Sequence, residues 1–251
     1  MGRLRRLVRR VLATNADAFV DAGTLSREYL QTLIPAGRRA PFFRSYNCVD
    51  GSLFSSGSAN DSGSKSGPPF RRILFVGRLN QNKGIPMLLE VYRDLLENSG
   101  DAIGLVLAGE GPLREIVEEF QRSHKSASIE MLGQVPYDQM VRYYRECDVF
   151  VLLSLSDCNP LVIFEALHAG IPIVCSENAG NAPDFIVPGQ NGYIVNPEDR
   201  DSIVSCLLDV LKWDAARRTE CARVSREQVK MANYKDSAAA FIEACKAVYR
   251  E

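Results

Sequence analysis

The chain has 251 residues, of which 46% are apolar and 24% charged, as in a globular protein with one large or two smaller domains. Its net charge of −1 gives no reason to expect nucleic acid as a partner. Seven scattered cysteines without a C-x-x-C pair, and only two histidines, argue against a disulfide framework and a metal site. The composition therefore predicts a cytoplasmic protein with reduced thiols and no metal.

The chain starts with MGRLRRLVRR, which is predicted to open a basic amphipathic helix. Leucines and valines recur at helical spacing between residues 3 and 12, opposite five arginines. Such a helix can make peripheral contact with an anionic membrane surface, or pack on its own protein with a solvated arginine face. The sequence leaves both interpretations open. No apolar run reaches the ~20 residues of a membrane span.

Residues 1–50 are predicted to be the remnant of a domain. After the first helix, ADAFVDAG is predicted to be a strand, TLSREYLQTL a helix and APFFRSYNCVD a second strand. These elements are too few for an independent core, so we expect them to end a domain whose beginning is absent. Residues 51–69 are rich in serine and glycine, which is typical of a flexible linker.

Residues 70–215 alternate between short apolar strands and helices. The predicted strands are RRILFVGRL, AIGLVLAGEG, SIEMLGQV, DVFVLLS and IPIVCSE. Strands without polar alternation are buried on both faces, and their alternation with helices favours a parallel sheet. The sequence thus predicts an α/β fold, a Rossmann-like, doubly wound parallel sheet, closed by helices over residues 216–251.

Ligands of an open parallel sheet bind beyond the carboxyl ends of its strands, so the loops there hold the candidate site. In the first loop, GRLNQNKG, Arg78 and Lys83 follow Gly77, and two cations at a helix entrance suit a diphosphate. The alternative is that both are ordinary solvated loop cations. In the third loop, Val135 and Pro136 offer an apolar shelf on which a base could rest.

The second loop, AGEGPLRE, contains half of a dinucleotide-binding fingerprint. Gly109 and Gly111 fit its first two glycines, and Glu130 lies about where the ribose-binding acid would fall. Arg114 occupies the position of the third glycine, and Pro112 starts a helix, which favours a simple tight turn. The two matching glycines and Glu130 nevertheless leave a nicotinamide-dependent dehydrogenase as a rival interpretation.

The fourth loop lies in SDCNPLVIFEALHAGIPIV and enters a helix that is predicted to begin near Pro160 or Leu161. The amides of Leu161 and Val162, at the positive end of the helix dipole, could hold a phosphate. Glu165 lies about one turn further and could accept hydrogen bonds from a sugar diol, as could Asp157 from a second sugar. The alternatives are that Asp157 caps the helix and that Glu165 is a surface acid.

In their order, these motifs resemble those of the family 4 retaining glycosyltransferases (group 1), which have the GT-B fold. The family's GRL…KG, GEGP and LGxV appear as GRLNQNKG, GEGPLRE and LGQV. Its acidic pair, E-x7-E, appears as D-x7-E from Asp157 to Glu165. The approach ADAFVDAG…SREYL…SYNCVD is similar to the end of the family's first domain. The resemblance spans nearly the whole chain, mainly as the C-terminal donor-binding domain.

The resemblance implies a role for each matched residue. Arg78 and Lys83 would hold the diphosphate of a nucleoside-diphosphate sugar and support its departure. Glu165 would bind the ribose, Asp157 the transferred sugar, and Val135 would help to seat the base. The other residues assigned to this donor site are Gly77, Glu110, Asn159, Pro160, Leu161 and Val162, the last two binding phosphate through their amides. The family generally needs no metal, so no cofactor is expected besides the donor substrate.

Two departures from the family pattern matter. Asp157 stands where the family usually has Glu, so the sugar preference would differ. The N-terminal acceptor domain is represented only by residues 1–50, toward which the helices of 216–251 would fold back. The resulting hypothesis is retaining transfer of a hexose-type sugar to a glycan, lipid or small-molecule acceptor, with little activity by this chain alone. The alternatives are a non-catalytic nucleotide-sugar-binding module completed by a partner chain, and a sugar-nucleotide epimerase.

Overall fold

The computed structural model describes residues 3–55, 71–99 and 102–249, which form two compact units. The smaller unit combines the residues up to 48 with those from 230 onward, and the larger unit comprises residues 49–229. The helices are α1 (Arg3–Asn15), α2 (Thr24–Gln31), α3 (Ser52–Ser55), α4 (Ile85–Asn98), α5 (Arg114–Ser123), α6 (Tyr137–Glu146), α7 (Leu161–Ala169), α8 (Ala182–Phe185), α9 (Arg200–Leu211), α10 (Ala215–Val229) and α11 (Tyr234–Val248). The strands are β1 (Phe19–Asp21), β2 (Phe42–Arg44), β3 (Arg71–Val76), β4 (Ile103–Ala108), β5 (Ser128–Gly133), β6 (Val149–Leu152), β7 (Ile173–Ser176) and β8 (Gly192–Val195).

The smaller unit is a thin parallel layer covered by helices. Strands β1 and β2 pair with Phe19 opposite Phe42, and their two rings stack with centroids 4.9 Å apart. Asp21, at the carboxyl end of β1, is fully buried and accepts hydrogen bonds from Arg27 and Arg44. Helix α11 contacts both strands, so the two ends of the chain meet in one unit.

Helix α1 has an exposed apolar face. Its leucines and valines recur at the predicted spacing, but they are more than half exposed: Leu4, Leu7, Val8, Val11 and Leu12. The arginines at positions 5, 6, 9 and 10 are exposed as well. Neither the membrane interpretation nor the packing interpretation is tested by this arrangement. Among the described residues, no helix combines the length and the hydrophobicity that crossing a membrane requires.

The larger unit contains a six-stranded parallel sheet in the order β5-β4-β3-β6-β7-β8. Every residue of β4, β6 and β7 is buried, as their unbroken apolar sequences predicted. The strand order reverses between β3 and β6, which defines the topological switch point of a doubly wound sheet. The predicted Rossmann-like fold is confirmed, with β8 as an additional edge strand that was not predicted.

The boundaries of the units differ from the predicted ones. Residues 52–55 of the predicted linker form α3, because Phe54 is 2% exposed and packs edge-on against the ring of Tyr144. The rest of that linker, from residue 56, lies outside the described residues. The closing helices, predicted together over 216–251, are divided between the units. Helix α10 packs on α7 and belongs to the larger unit, whereas α11 belongs to the smaller one.

Candidate functional site

The candidate site lies at the switch point between β3 and β6. These strands are neighbours in the sheet, so the loops that follow them start side by side at its carboxyl edge. The amide of Leu155 donates to the carbonyl of Asn82 at 2.8 Å, and the side chain of Asn82 donates to the carbonyl of Ser156 at 2.7 Å. The first and fourth loops of the sequence analysis are therefore joined directly.

The loop after β3 supplies two cations. The guanidinium of Arg78 is exposed, and none of the residues that the structure describes forms an ion pair with it. Lys83 ends a single 3₁₀ turn, which is capped by the Asn80 side chain accepting from the Lys83 amide at 2.9 Å. The next residue, Gly84, has φ +74°, and a Cβ there would lie 2.1 Å from the carbonyl oxygen of Leu153. Only glycine allows this loop to approach the end of β6 so closely.

Lys83 and Asp157 meet across the switch point. The Lys83 ammonium contacts the Asp157 carboxylate, and both side chains are mostly buried, at 23% and 17% exposure. The alternative that Asp157 caps α7 is wrong, because the residue before the first turn is Pro160 and it makes no side-chain cap. The backbone of Asp157 is instead bonded to the loop after β7. Its amide donates to the Asn178 carbonyl, and its carbonyl accepts from the Gly180 amide.

The start of α7 presents free backbone donors. The helix begins at Leu161 without a side-chain cap, and the Ile163 amide donates to the Pro160 carbonyl at 3.2 Å. The amides of Leu161 and Val162 donate to none of the described residues, and they carry the positive end of the helix dipole. The buried side chain of Asn181 donates to the Pro160 carbonyl at 3.1 Å and fixes this turn. Both polar atoms of the Asn159 amide are buried without a partner among the described residues. Buried amides of this kind are usually hydrogen-bonded, so the absence of a partner for Asn159 within the described ranges is unusual.

Glu165 lies on the first turns of α7 and is buried, so the alternative of a surface acid is wrong. It is 8% exposed, and its Oε2 accepts a hydrogen bond from the Tyr144 hydroxyl at 2.8 Å. Burial raises the pKa of the Glu165 carboxyl above its ordinary value, against the opposing effect of that hydrogen bond. Burial also raises the pKa of Tyr144 well above its ordinary value, and the nearby Glu165 carboxylate adds to this. Tyr144 thus remains a hydrogen-bond donor at any physiological pH.

The loops after β4 and β5 lie further along the sheet. The Leu79 amide donates to the Glu110 carbonyl at 2.9 Å, which ties the second loop to the first. The Glu110 carboxylate forms an ion pair with the Arg114 guanidinium, with an N–O distance of 2.8 Å, and lies close to Gly133. Val135 is half-buried just after β5. These predicted residues share the carboxyl edge of the sheet with the switch point, but β4 and β5 lie on the far side of β3 from β6.

The features that suggested a dinucleotide fingerprint have structural explanations. A Cβ at Gly111 would lie 2.2 Å from the Leu79 carbonyl oxygen, so this glycine permits two loops to approach. Glu130, placed where a ribose-binding acid would fall, forms an ion pair with Arg72 at 2.5 Å. The local geometry therefore favours the tight-turn interpretation over the nicotinamide-binding one.

Sequence reasoning missed three residues of the site: Asn82, Tyr144 and Asn181. Each acts through a partner distant in sequence, and the hydrogen bond from Tyr144 to Glu165 spans 21 positions. No local pattern marks such residues, because an isolated Tyr or Asn has no characteristic spacing. Within the described ranges, no three His, Cys, Asp or Glu side chains cluster in a way that could hold a metal ion.

Comparison with known sequences gives a family. The sequence model of the family described as "Glycosyl transferases group 1" matches residues 60–228. An uncharacterized glycosyltransferase of Methanocaldococcus jannaschii is 36% identical over 135 residues, which cover 53% of this chain and 34% of that protein. The chain spans about a third to two fifths of the length of the curated relatives it matches, at 34%, 37% and 40%.

Comparison with solved structures gives the fold. Sucrose-phosphate synthase from Thermosynechococcus elongatus aligns with a TM-score of 0.80 at 20% identity, covering 99% of this chain and 62% of that one. The C-terminal domain of a group 1 family glycosyl transferase from Francisella tularensis aligns with a TM-score of 0.60 at 24% identity, covering 73% of this chain and 97% of that one. The Rossmann-like parallel sheet with flanking helices matches these glycosyltransferase structures.

Proposed function

Because the chain belongs to the group 1 glycosyl transferases, we propose that its larger unit binds a nucleoside-diphosphate sugar for retaining transfer of a hexose-type sugar. The observation that carries this proposal is the meeting of Lys83 and Asp157 beside the uncapped start of α7. A cation and free amides at one switch point suit the diphosphate of such a donor, which is also its leaving group, and a carboxylate beside them suits the hydroxyls of its sugar.

The diphosphate is proposed to lie between Arg78, Lys83 and the amides of Leu161 and Val162. Negative charge grows on the leaving diphosphate during transfer, and fixed cations and amides at that position stabilise the transition state more than the ground state. These groups supply the charge stabilisation themselves, so we propose transfer without a metal cofactor. The guanidinium of Arg78 is free for this purpose within the described part of the chain.

The nucleoside and the sugar are proposed to lie on either side of the diphosphate. Glu165 would accept from the ribose hydroxyls, Asp157 from the transferred sugar, and Val135 would support the base. Asp157 has a shorter side chain than Glu and is already held by Lys83, so it would reach a different set of sugar hydroxyls from a Glu. The acceptor is proposed to be a glycan, a lipid or a small molecule.

A second candidate function is a donor-binding module that acts only with a partner chain. It is favoured by the smaller unit, which exposes large apolar side chains on both α1 and α11, among them Leu4, Leu12, Phe241 and Ile242. Exposed apolar surface of this kind is typical of a contact with another protein or a membrane. In this case the chain alone would bind the donor and transfer little sugar.

A thermal stability screen tests the proposed function. We expect one of UDP, GDP, dTDP and ADP to raise the melting temperature, since a ligand at 100 times its Kd adds about 2.7 kcal/mol to the free energy of unfolding. The matching nucleoside, without phosphates, should raise it much less. If none of the four diphosphates changes the melting temperature, the proposed donor site is wrong. Release of the diphosphate from a nucleotide sugar, with and without a candidate acceptor, then separates the enzyme from the binding module.

A further inference from the structure

Tyr144 is a buried polar residue that the proposed roles leave out. It lies on α6, is 1% exposed, and its hydroxyl donates to Oε2 of Glu165 at 2.8 Å. None of the described residues donates to the other carboxylate oxygen, Oε1. Oε1 is not fully buried, so it belongs to the small part of Glu165 that is exposed. One oxygen is thus held from inside the protein while the other reaches the surface.

The ring of Tyr144 is fixed by aromatic contacts from two elements. Phe54 of α3 packs edge-on against it, with centroids 5.6 Å apart and an interplanar angle of 79°. Phe150 of β6 lies 5.9 Å away on the buried sheet. A ring packed on two sides keeps its hydroxyl in place, so the hydrogen bond restricts the rotamer of Glu165.

We propose that Tyr144 is a positioning residue, which holds Glu165 so that Oε1 faces the ribose hydroxyls of a bound nucleoside diphosphate. This inference rests on the proposed function, because it assumes that Glu165 contacts the ribose. A hydrogen bond to a charged acceptor depends strongly on direction, and a carboxylate anchored at one oxygen keeps the other in place. The Tyr144 hydroxyl also lies 3.5 Å from the Val162 carbonyl, but its shorter hydrogen bond, at 2.8 Å, is to Glu165, so we expect Tyr144 to act on the ligand through Glu165.

A purely structural role makes a different prediction. If Tyr144 only satisfies a buried acid, its hydroxyl contributes to the free energy of unfolding and not to the preference for ribose over deoxyribose. The ratio of the two dissociation constants separates the roles, because a general loss of stability affects both ligands equally.

The test uses Tyr144→Phe, which removes the hydroxyl and keeps the ring. The control is Tyr143→Phe on the same helix, where the ring lies beside the Arg142 guanidinium. The probes are UDP, GDP and ADP, each with its 2′-deoxy counterpart, titrated by calorimetry. For the probe that binds best, we expect the wild type and Tyr143→Phe to prefer the ribonucleotide by about tenfold, as one hydrogen bond to a charged group implies. We expect Tyr144→Phe to lower this preference to less than about threefold.

A double-mutant cycle keeps the test decisive if Tyr144→Phe alone does not fold. Replacing both partners by apolar groups avoids an unpaired buried carboxylate, so Tyr144→Phe combined with Glu165→Leu is the more tolerant variant. Since Tyr144 acts through Glu165, the double variant should bind the probe within about twofold of Glu165→Leu. A further loss of about tenfold would overturn the inference.

The outcomes distinguish this inference from the proposed function. If the wild type binds a diphosphate and Tyr144→Phe keeps the full preference for ribose, the positioning role is wrong and the proposed function stands. If the wild type binds none of the probes, both are wrong.

Discussion

The ammonium of Lys83 contacts the carboxylate of Asp157 across the gap between the loops after β3 and β6. Each residue was assigned to a different part of the donor, Lys83 to the diphosphate and Asp157 to the sugar. Their contact means that a diphosphate which binds Lys83 must compete with Asp157. Donor binding would then release the carboxylate at the moment when a sugar arrives to use it.

Asp157→Asn should separate the two halves of the donor. The substitution removes a negative charge beside the diphosphate and releases Lys83, so we expect the free nucleoside diphosphate to bind about threefold more tightly, in keeping with the size of a partly exposed ion pair. The nucleotide sugar should lose the extra affinity that its sugar provides. Calorimetry with both ligands measures this. Asp201→Asn, at an exposed residue of α9, is the control. Weaker binding of the free diphosphate by Asp157→Asn would contradict the competition.

Arg78→Ala should weaken nucleoside-diphosphate binding by about tenfold or more, since it removes a charged hydrogen-bond donor from the phosphates. The matched control is Arg122→Ala, an exposed arginine on α5 that pairs with Glu119. Arg78→Lys should recover only part of the affinity, because an ammonium cannot form the paired hydrogen bonds of a guanidinium. Equal affinity of Arg78→Ala and Arg122→Ala would show that Arg78 is an ordinary solvated cation.

Gly84→Ala should destabilise the larger unit through a specific clash. The new Cβ would lie 2.1 Å from the Leu153 carbonyl, at a φ of +74°. Gly189 has nearly the same φ, +75°, but a Cβ there meets nothing closer than 3.9 Å. Both alanine variants carry the conformational cost, so their difference isolates the clash. We expect Gly84→Ala to lose at least about 2 kcal/mol more of the free energy of unfolding in urea; equal losses would mean that the loop is free to move away.

The sequence was sufficient for strands β3 to β7 of the larger sheet and for the position of their loops, but not for the edge strand β8. Strands such as VFVL and IGLVLA are apolar throughout, and their alternation with helices leaves few topologies. Once β3 and β6 are neighbours, Lys83 and Asp157 must lie close together. The partner of Glu165 could not be predicted in this way, because a contact between α6 and α7 depends on how the helices pack. The same holds for α3, where one residue, Phe54, finds a buried place within a segment whose composition is typical of a linker.

Glu165→Gln should stabilise the protein as the pH rises. Burial raises the pKa of this carboxyl above its ordinary value of 4.5, so the folded state binds the proton more tightly than the unfolded state. The stability gained in this way is complete below the unfolded pKa and is lost as the pH rises through the folded pKa. A neutral Gln avoids that loss. The melting temperature of Glu165→Gln, relative to that of the wild type, should increase between pH 4 and pH 7. The control Glu177→Gln, at an exposed acid, should keep a constant difference from the wild type over this range.

The most direct test of the account is an amide correlation NMR titration with the diphosphate that gives the largest thermal shift. The central claim is that one diphosphate contacts both the loop after β3 and the start of α7. We predict that the amides of residues 77–84, 159 and 161–163 shift together, with a single dissociation constant, while those of α5 do not move. Shifts confined to one of the two loops, or different dissociation constants for the two, would contradict it.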